Sequence, residues 1–577
     1  MPKELVINDW QKGIAESPLV GFGDMRNVDL YSQVGALKGN AKLQSCNSVS
    51  PISNLTLTVD TSTDIWTSSV AHNMRTGTTI VISSTGSLPS PLSTNDRSYV
   101  INLTATTFKI ANSLANALSN TPLDITTAGS GTITAAVTTI GRILHFASDP
   151  ADSSKVYAQD NNNRIWYTTI TPADVNNANW YWLAGNTASG TGNGLVIWKD
   201  YIFAFGSTVV DVTATSYAVT KTSTWSNNTW FSGLLSTNSH HAIWGQDDIL
   251  YFANKRFVGS IQETTGSDFA PGTGGTYSQN ATALTLPENI ISSRLEELGV
   301  NLMVLGADQV NSYVFPWDRS SPTFSLPLRV PNAVSAFVTY NNTLYLFATD
   351  VLKIYKTNGS YMVEEEVFPQ SWLGTSLSNV SIGAAVAYKG RLLFAVSQAG
   401  AALTGPNGVY SYDLKTGALV MENGISTGNY YASVTINALF VPKQSGMYYV
   451  GWQDASTFGV DNNRLSGPGQ AYSYYSNYEP YVETQLYEIG TPQDVRQLQE
   501  LSLTFSNKLA STQGVRLSYR TNLTDSYTLI GTYDFSTLGA VQTYAGNFSS
   551  VGSTHIQFKI ELSDAAGTMG LLALKLR

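Results

Sequence analysis

Charge is scarce in this chain: 13% of its 577 residues are Asp, Glu, Lys or Arg, where an average soluble protein carries roughly a quarter. No Lys/Arg block stands anywhere in it, and 32 basic against 41 acidic residues leave a net charge of −9. That balance disfavours a protein that grips nucleic acid or is tethered to a membrane by a polybasic patch. It permits a conduit, because a mildly acidic wall does not displace counterions from phosphates and so does not hold a duplex. Cysteine is nearly absent. With Cys46 alone, no intrachain disulfide and no multi-thiolate zinc site can form, which fits assembly in a reducing cytoplasm. No stretch reaches the ~18 consecutive apolar residues of a membrane span, and the opening MPKELVINDWQKGIAESP lacks the apolar run of a signal peptide. Catalytic signatures of the HExxH, CxxC and GxSxG kinds are missing too.

What is present points to strands. Tyr 31, Phe 21 and Trp 12 make 11% aromatics, which favours pleated sheet, and Gly 47 with abundant Ser, Thr and Asn supplies the turns that many short strands need. The length exceeds what one core serves, so about two to four domains are expected. The middle of the chain repeats a strand, turn, strand, gap and strand layout about seven times at roughly 40 to 55 residues, the mark of propeller blades. In one unit Leu195 to Trp198, the turn Lys199-Asp200, Tyr201 to Phe205 and Val209 to Val212 follow in order; in another, Ala242 to Trp244, the turn Gln246 to Asp248, Ile249 to Phe252 and Phe257 to Ile261. Two more place tight turns at Asn341-Asn342 and Lys389-Gly390, the residue pairs that hairpins favour. Fainter copies are Gly141 to Ile170, Leu298 to Trp317 and Ala432 to Gln453.

Four regions follow. Residues 1–52 form an N-terminal arm, whose segment Gly21 to Leu43 is the expected closing strand of the ring; residues 53–137 break the period and form an inserted small β-module; residues 138–473 form a propeller; residues 474–577 form a C-terminal β-sandwich-like domain of about seven strands. The fold class is therefore all-β. Helix is confined to short stretches: Pro287 to Leu298 and Pro492 to Glu500, each with Pro near its start, and a single turn in Asn112 to Ser119.

Within the insertion, Trp66, Ala71-His72, Thr76-Gly77, Leu88-Pro89, Pro91-Leu92, Tyr99 to Ile101, Thr107-Phe108, Asn116-Ala117 and Gly129 to Thr132 resemble a β-module that recurs in bacteriophage virion and tail-fibre proteins. It departs from that pattern at Asn73-Met74-Arg75 and Asp96-Arg97. The opening AESPLVGFGDMRNVDLYSQVGALKGN, followed by blades and a terminal β-domain, resembles tail nozzle or tail tube proteins of short-tailed phages. That resemblance implies a structural virion protein, assembled in the host cytoplasm as a cyclic ring of usually six copies. It would lie below portal and adaptor proteins and beside fibres or spikes, with dsDNA leaving through the centre without sequence-specific binding. It carries over no catalytic residue, metal or cofactor.

Other constellations have plainer readings. His240-His241 point to opposite faces of a regular strand and cannot share a metal; a turn or blade-edge role is expected, and His72, His145 and His555 are scattered. Asp160 to Arg164 and Asp461 to Arg464 lack the spacing of a calcium loop and read as hairpin turns. Glu364-Glu365-Glu366 and Asp247-Asp248 are the densest acidic spots, and a glycosidase would need two carboxylates facing each other about 5 to 9.5 Å apart. Trp180-Tyr181-Trp182, with Trp225 and Trp230, form either a sugar-stacking platform or blade packing. The rival functions are receptor binding or fibre attachment through the insertion, and glycan depolymerisation.

Overall fold

The structure, a computed structural model, describes residues 4–15, 22–46, 55–72, 74–137, 140–149, 152, 154–169, 180–185, 192–199, 201–206, 210–214, 226–228, 241–263, 277–348, 353–368, 380–398, 407–428, 434–442, 446–463, 475, 477–548 and 552–577. Strands dominate these residues, and the chain is a propeller-like all-β protein. From Ile143 onward, antiparallel sheets succeed one another, opening with the strands Ile143–Ser148, Gly194–Trp198, Ala242–Trp244, Ile291–Leu298, Val334–Tyr340, Val380–Tyr388 and Val434–Phe440. Each opening strand touches the next, and the seventh touches the first. The sheets therefore stand around a common axis, with these strands innermost.

Period-two alternation explains why the sheets stack. In Tyr201–Phe205, Ile202 and Ala204 pack back onto Tyr157, Ile165 and Leu183 of the first sheet. The intervening Phe203 and Phe205 pack forward onto Leu250, Phe252 and Ile261 of the third. The same division fills every later gap between sheets, ending with Ala438, Tyr449 and Val460 of the seventh against Ile143, Val156 and Trp166 of the first. Because both faces are covered, second strands such as Leu250–Asn254 are buried along their whole length. Each fully buried Leu, Ile, Val or Phe contributes about 1.5–3 kcal/mol.

The hairpins close as their sequences require. Asn341 and Asn342 take φ 48 and 57, and Lys389 and Gly390 take φ 48 and 83, the left-handed pairs that match strand twist.

The insertion is a closed six-stranded barrel, ordered Thr107–Ala111, Ile65–Ser68, Leu55–Asp60, Ile133–Val137, Thr79–Ser84, Arg97–Asn102. Its interior holds Trp66, Ile80, Val100, Phe108 and Ile110. The expected helical turn is Leu114–Leu118, where Ser113 accepts a hydrogen bond from Asn116 N.

The C-terminal strands form two sheets. One runs Leu5–Ile7, Leu571–Leu576, Glu500–Phe505, Thr543–Asn547; the other runs Tyr481–Glu483, His555–Asp564, Gln513–Arg520, Thr528–Asp534. The second sheet is continuous with the sixth sheet of the ring, because Asp24–Arg26 pairs with Leu419–Asn423 on one side and Tyr481–Glu483 on the other. One apolar core runs from Phe347, Phe394 and Tyr410 of the ring to Leu503, Val515, Ile560 and Leu574.

Several expectations are corrected. Pro287 to Leu298 is not helical: Ile291–Leu298 is the innermost strand of the fourth sheet, so this unit starts ahead of Leu298. A bulge between Ser292 and Arg294 inserts one residue, so the buried positions fall at Ser292, Leu295 and Leu298, which imitates helical spacing. Pro492 to Glu500 is not helical either. Its backbone is committed elsewhere, Thr491 exchanging hydrogen bonds with Asp494 and Arg496 with Ser553. The strand that completes the seventh sheet is Gln44–Ser45, just past the expected segment; it pairs with Asp461 and Asn462, while Asp24–Arg26 joins the sixth sheet to the sandwich. Asp461 therefore lies in a strand, Thr457–Asn462, not in a hairpin turn.

Candidate functional site

The innermost strands carry polar groups to the axis of the ring. His145 lies on Ile143–Ser148, His241 immediately ahead of Ala242–Trp244, and Arg294 and Glu296 on Ile291–Leu298. Leu295 N donates to His241 Nδ1 at 3.1 Å. Arg294 Nη2 reaches past the fifth sheet and donates to the carbonyl of Gly383, on the sixth sheet's opening strand, at 3.2 Å. Thr339 N, on the fifth sheet, donates to Glu296 Oε1 at 3.4 Å. Register shifts recur in the opening strands, at Ile143/His145, Ser292/Arg294, Val334/Ala336, Ile382/Ala385 and Ile436/Ala438. Such bulges re-aim side chains.

The electrostatics follow from enclosure. Burial, reinforced by the Arg294 charge, pushes His145 and His241 down to about 3, so both imidazoles are neutral at pH 7. Burial pushes Glu296 up to about 7 and lowers Arg294, with each opposing the other's shift. His241 accepts on Nδ1 and so carries its proton on Nε2.

The sequence singled out other residues, and most of them serve packing. Asp160 anchors the first sheet's hairpin, accepting from Asn162 N, Arg164 N, Arg164 Nε and Trp166 Nε1. Buried Asp461 accepts from Ser426 N and Ser426 Oγ at 2.7 Å each, and burial lifts it to about 6. Asp247 accepts from Tyr251 Oη and faces Arg319, Asp248 takes Lys199 and Trp244 Nε1, Glu364 pairs with Lys353, and Glu365 with Lys356. Asp247 shares Arg319 with Glu297, and Asp248 shares Lys199 with Glu263, so each of these carboxylates is held by a cation. His72 packs edge-on against Phe108 inside the barrel, and exposed His555 contacts Thr554. Trp225, Trp230, His240, Arg464 and the Glu366 side chain lie outside the described residues. Among the described residues no group of His, Cys, Asp and Glu could hold a metal ion.

The aromatic triplet joins the barrel to the ring. Trp180 packs between Phe146 and Tyr449; Tyr181 lies tilted against Tyr167; Trp182 lies under the Arg97 guanidinium, 3.8 Å from ring centre. At Gly77, φ 92, a Cβ would stand 2.6 Å from Tyr181, so only glycine lets the barrel approach this closely. Tyr99, Ile101, Leu114 and Ala117 complete the contact.

Sequence reading missed the axial group because its members are separated by up to 238 positions and share no motif. A polar residue inside an otherwise apolar opening strand, as His145 in RILHFAS, is the signal that would have found part of it.

No family model and no curated protein matches the chain. Among solved structures, the Cps50 (Swd1) β-propeller domain of Myceliophteria thermophila is 8% identical, covering 56% of this chain and 97% of that one, with a TM-score of 0.38. The Dos1 propeller is 11% identical over 56% and 92%, with a TM-score of 0.35. The exo-beta-1,3-galactanase of Phanerochaete chrysosporium with galactose is 13% identical over 68% and 97%, with a TM-score of 0.26. Likenesses this weak carry no argument about substrate or role.

Proposed function

We propose that the protein is a structural component of a bacteriophage tail, a nozzle or tube subunit of about six copies. In this reading the opening strands mark seven blades of one propeller, residues 53–137 are an inserted domain, and residues 474–577 are a sandwich that meets neighbouring copies. The observation that carries it is the phage-type sequence pattern of the insertion, held against the first sheet through Arg97–Trp182 and Gly77–Tyr181.

The same reading suggests a path for DNA. Arg294 reaches past the fifth sheet to Gly383 on the sixth, so a side chain occupies part of the bore, whereas the major groove of a duplex is by itself ~12 Å wide. The passage therefore lies between copies, not along the axis of any one ring. Open sheet edges at Thr528–Asp534 and Thr543–Asn547, with Leu529 57% exposed, offer the pairing surfaces that such a contact uses.

Glycan depolymerisation draws no support from the axis, where among the described residues Glu296 is the one carboxylate acting on Arg294 and its neighbour Glu297 is paired with Arg319. Mass spectrometry of purified particles tests the proposal. The chain is expected in the tail fraction at a fixed multiple of the portal's copy number, and its absence from particles would end the reading.

A further inference from the structure

The axial cluster is rich in donors and poor in acceptors. Arg294 spends one N–H on Gly383 O, and among the described residues no carboxylate stands within ion-pair distance of it. Asn437 projects from the bulge of the seventh sheet's opening strand, and its Nδ2 is buried without a partner. It adjoins the same glycine: a Cβ on Gly383 would sit 3.0 Å from Asn437 Cα. His241 adds an N–H on Nε2, since its Nδ1 already accepts from Leu295 N. Glu296 is directed to Thr339 N on the fifth sheet. Arg294 is half-buried, and the N–H groups it does not spend on Gly383 remain available to a ligand in the bore. A group that engages them brings one negative charge and at least two acceptor atoms in a plane, matching the guanidinium fork.

We propose that the axis of the ring binds one small, singly charged oxyanion, a free carboxylate or an ion of that shape, gripped by Arg294 with His241 and Asn437 as neutral donors. The ion links the opening strands of the third, fourth and seventh sheets at the axis. This inference stands apart from the role in a phage tail, since it concerns each chain alone.

Formate is the probe. In the full chain with labelled histidines, the Hε1 signals of His145 and His241, assigned through H145Q and H241Q, are expected to shift saturably as formate is added at ionic strength held constant by HEPES, whose sulfonate is too bulky for the bore. R294Q should weaken the binding roughly tenfold or more and N437A about threefold, the cost of losing a charged and a neutral hydrogen bond. Unmoved Hε1 signals in the wild-type chain would overturn the proposal, as would an undiminished response in R294Q. Should R294Q fail to fold, N437A decides: formate binding equal to wild type contradicts the site.

Discussion

The inserted barrel and the C-terminal sandwich are both antiparallel units beside the ring, yet they are attached in opposite ways. The barrel keeps a core of its own around Trp66, Phe108 and Ile110 and meets the first sheet through a small aromatic seam. The sandwich has no separate core: Leu503, Val515 and Ile560 belong to the cluster that contains Phe347 and Phe394, and its sheet is hydrogen-bonded into the ring through Asp24–Arg26. The difference teaches that chain order is a poor guide to independence. An insertion whose ends pair with each other, Leu55 with Ala135, can be added without reopening its host, whereas a terminal unit stitched by the opposite terminus folds with it.

Removing residues 1–46 should have the largest effect. It strips strands from the sandwich, the joint and the seventh sheet at once, and loss of the cooperative thermal transition, read by calorimetry, is expected. M25A probes the same joint with one side chain; Met25 is fully buried, so about 2–5 kcal/mol of stability should go, measured by chemical denaturation. Excising residues 55–137 with a short linker is the converse test. The remaining chain should keep its cooperative transition, and a collapse of that transition would mean that the barrel is not the separable unit described. R97A is milder, costing the barrel-to-ring seam about 0.5–2 kcal/mol; faster amide exchange at the seam, without change inside the barrel, is the expected reading.

The axis supplies a pH test of the ring itself. His145 and His241, pushed down to about 3, make acid destabilising as pH falls below the ordinary histidine value near 6.5, because the unfolded chain then binds the extra protons. Glu296 and Asp461, raised to about 7 and about 6, act the other way, favouring the folded state as pH falls through those values. The two effects offset each other between roughly pH 4.5 and 6. E296Q removes one of them, so its stability should fall by ~1.4 kcal/mol per pH unit relative to wild type over that window, seen by denaturant titration at several pH values. The smallest effect belongs to E364Q, which breaks only the exposed pair with Lys353 and should change stability by less than about 1 kcal/mol.

Much of this architecture is legible in the chain where local rules govern it. The turns at Asn341-Asn342 and Lys389-Gly390 and the apolar alternation of Tyr201–Phe205 write the hairpins directly. Legibility fails where long-range pairing overrides local pattern: the bulge at Ser293 disguised Ile291–Leu298 as a helix, and nothing in Gln44–Ser45 announces a partner at Asp461. The axial group is hidden for the same reason, since His145, His241, Arg294 and Asn437 meet only once the opening strands gather around the axis.

The most direct test of the central claim is a cryo-electron microscopy map of the assembled tail. The account predicts a closed cyclic ring of this chain, with DNA density running between copies and every blade axis off that passage. A solitary chain, or a duplex threaded through the axis of a single propeller, would contradict it.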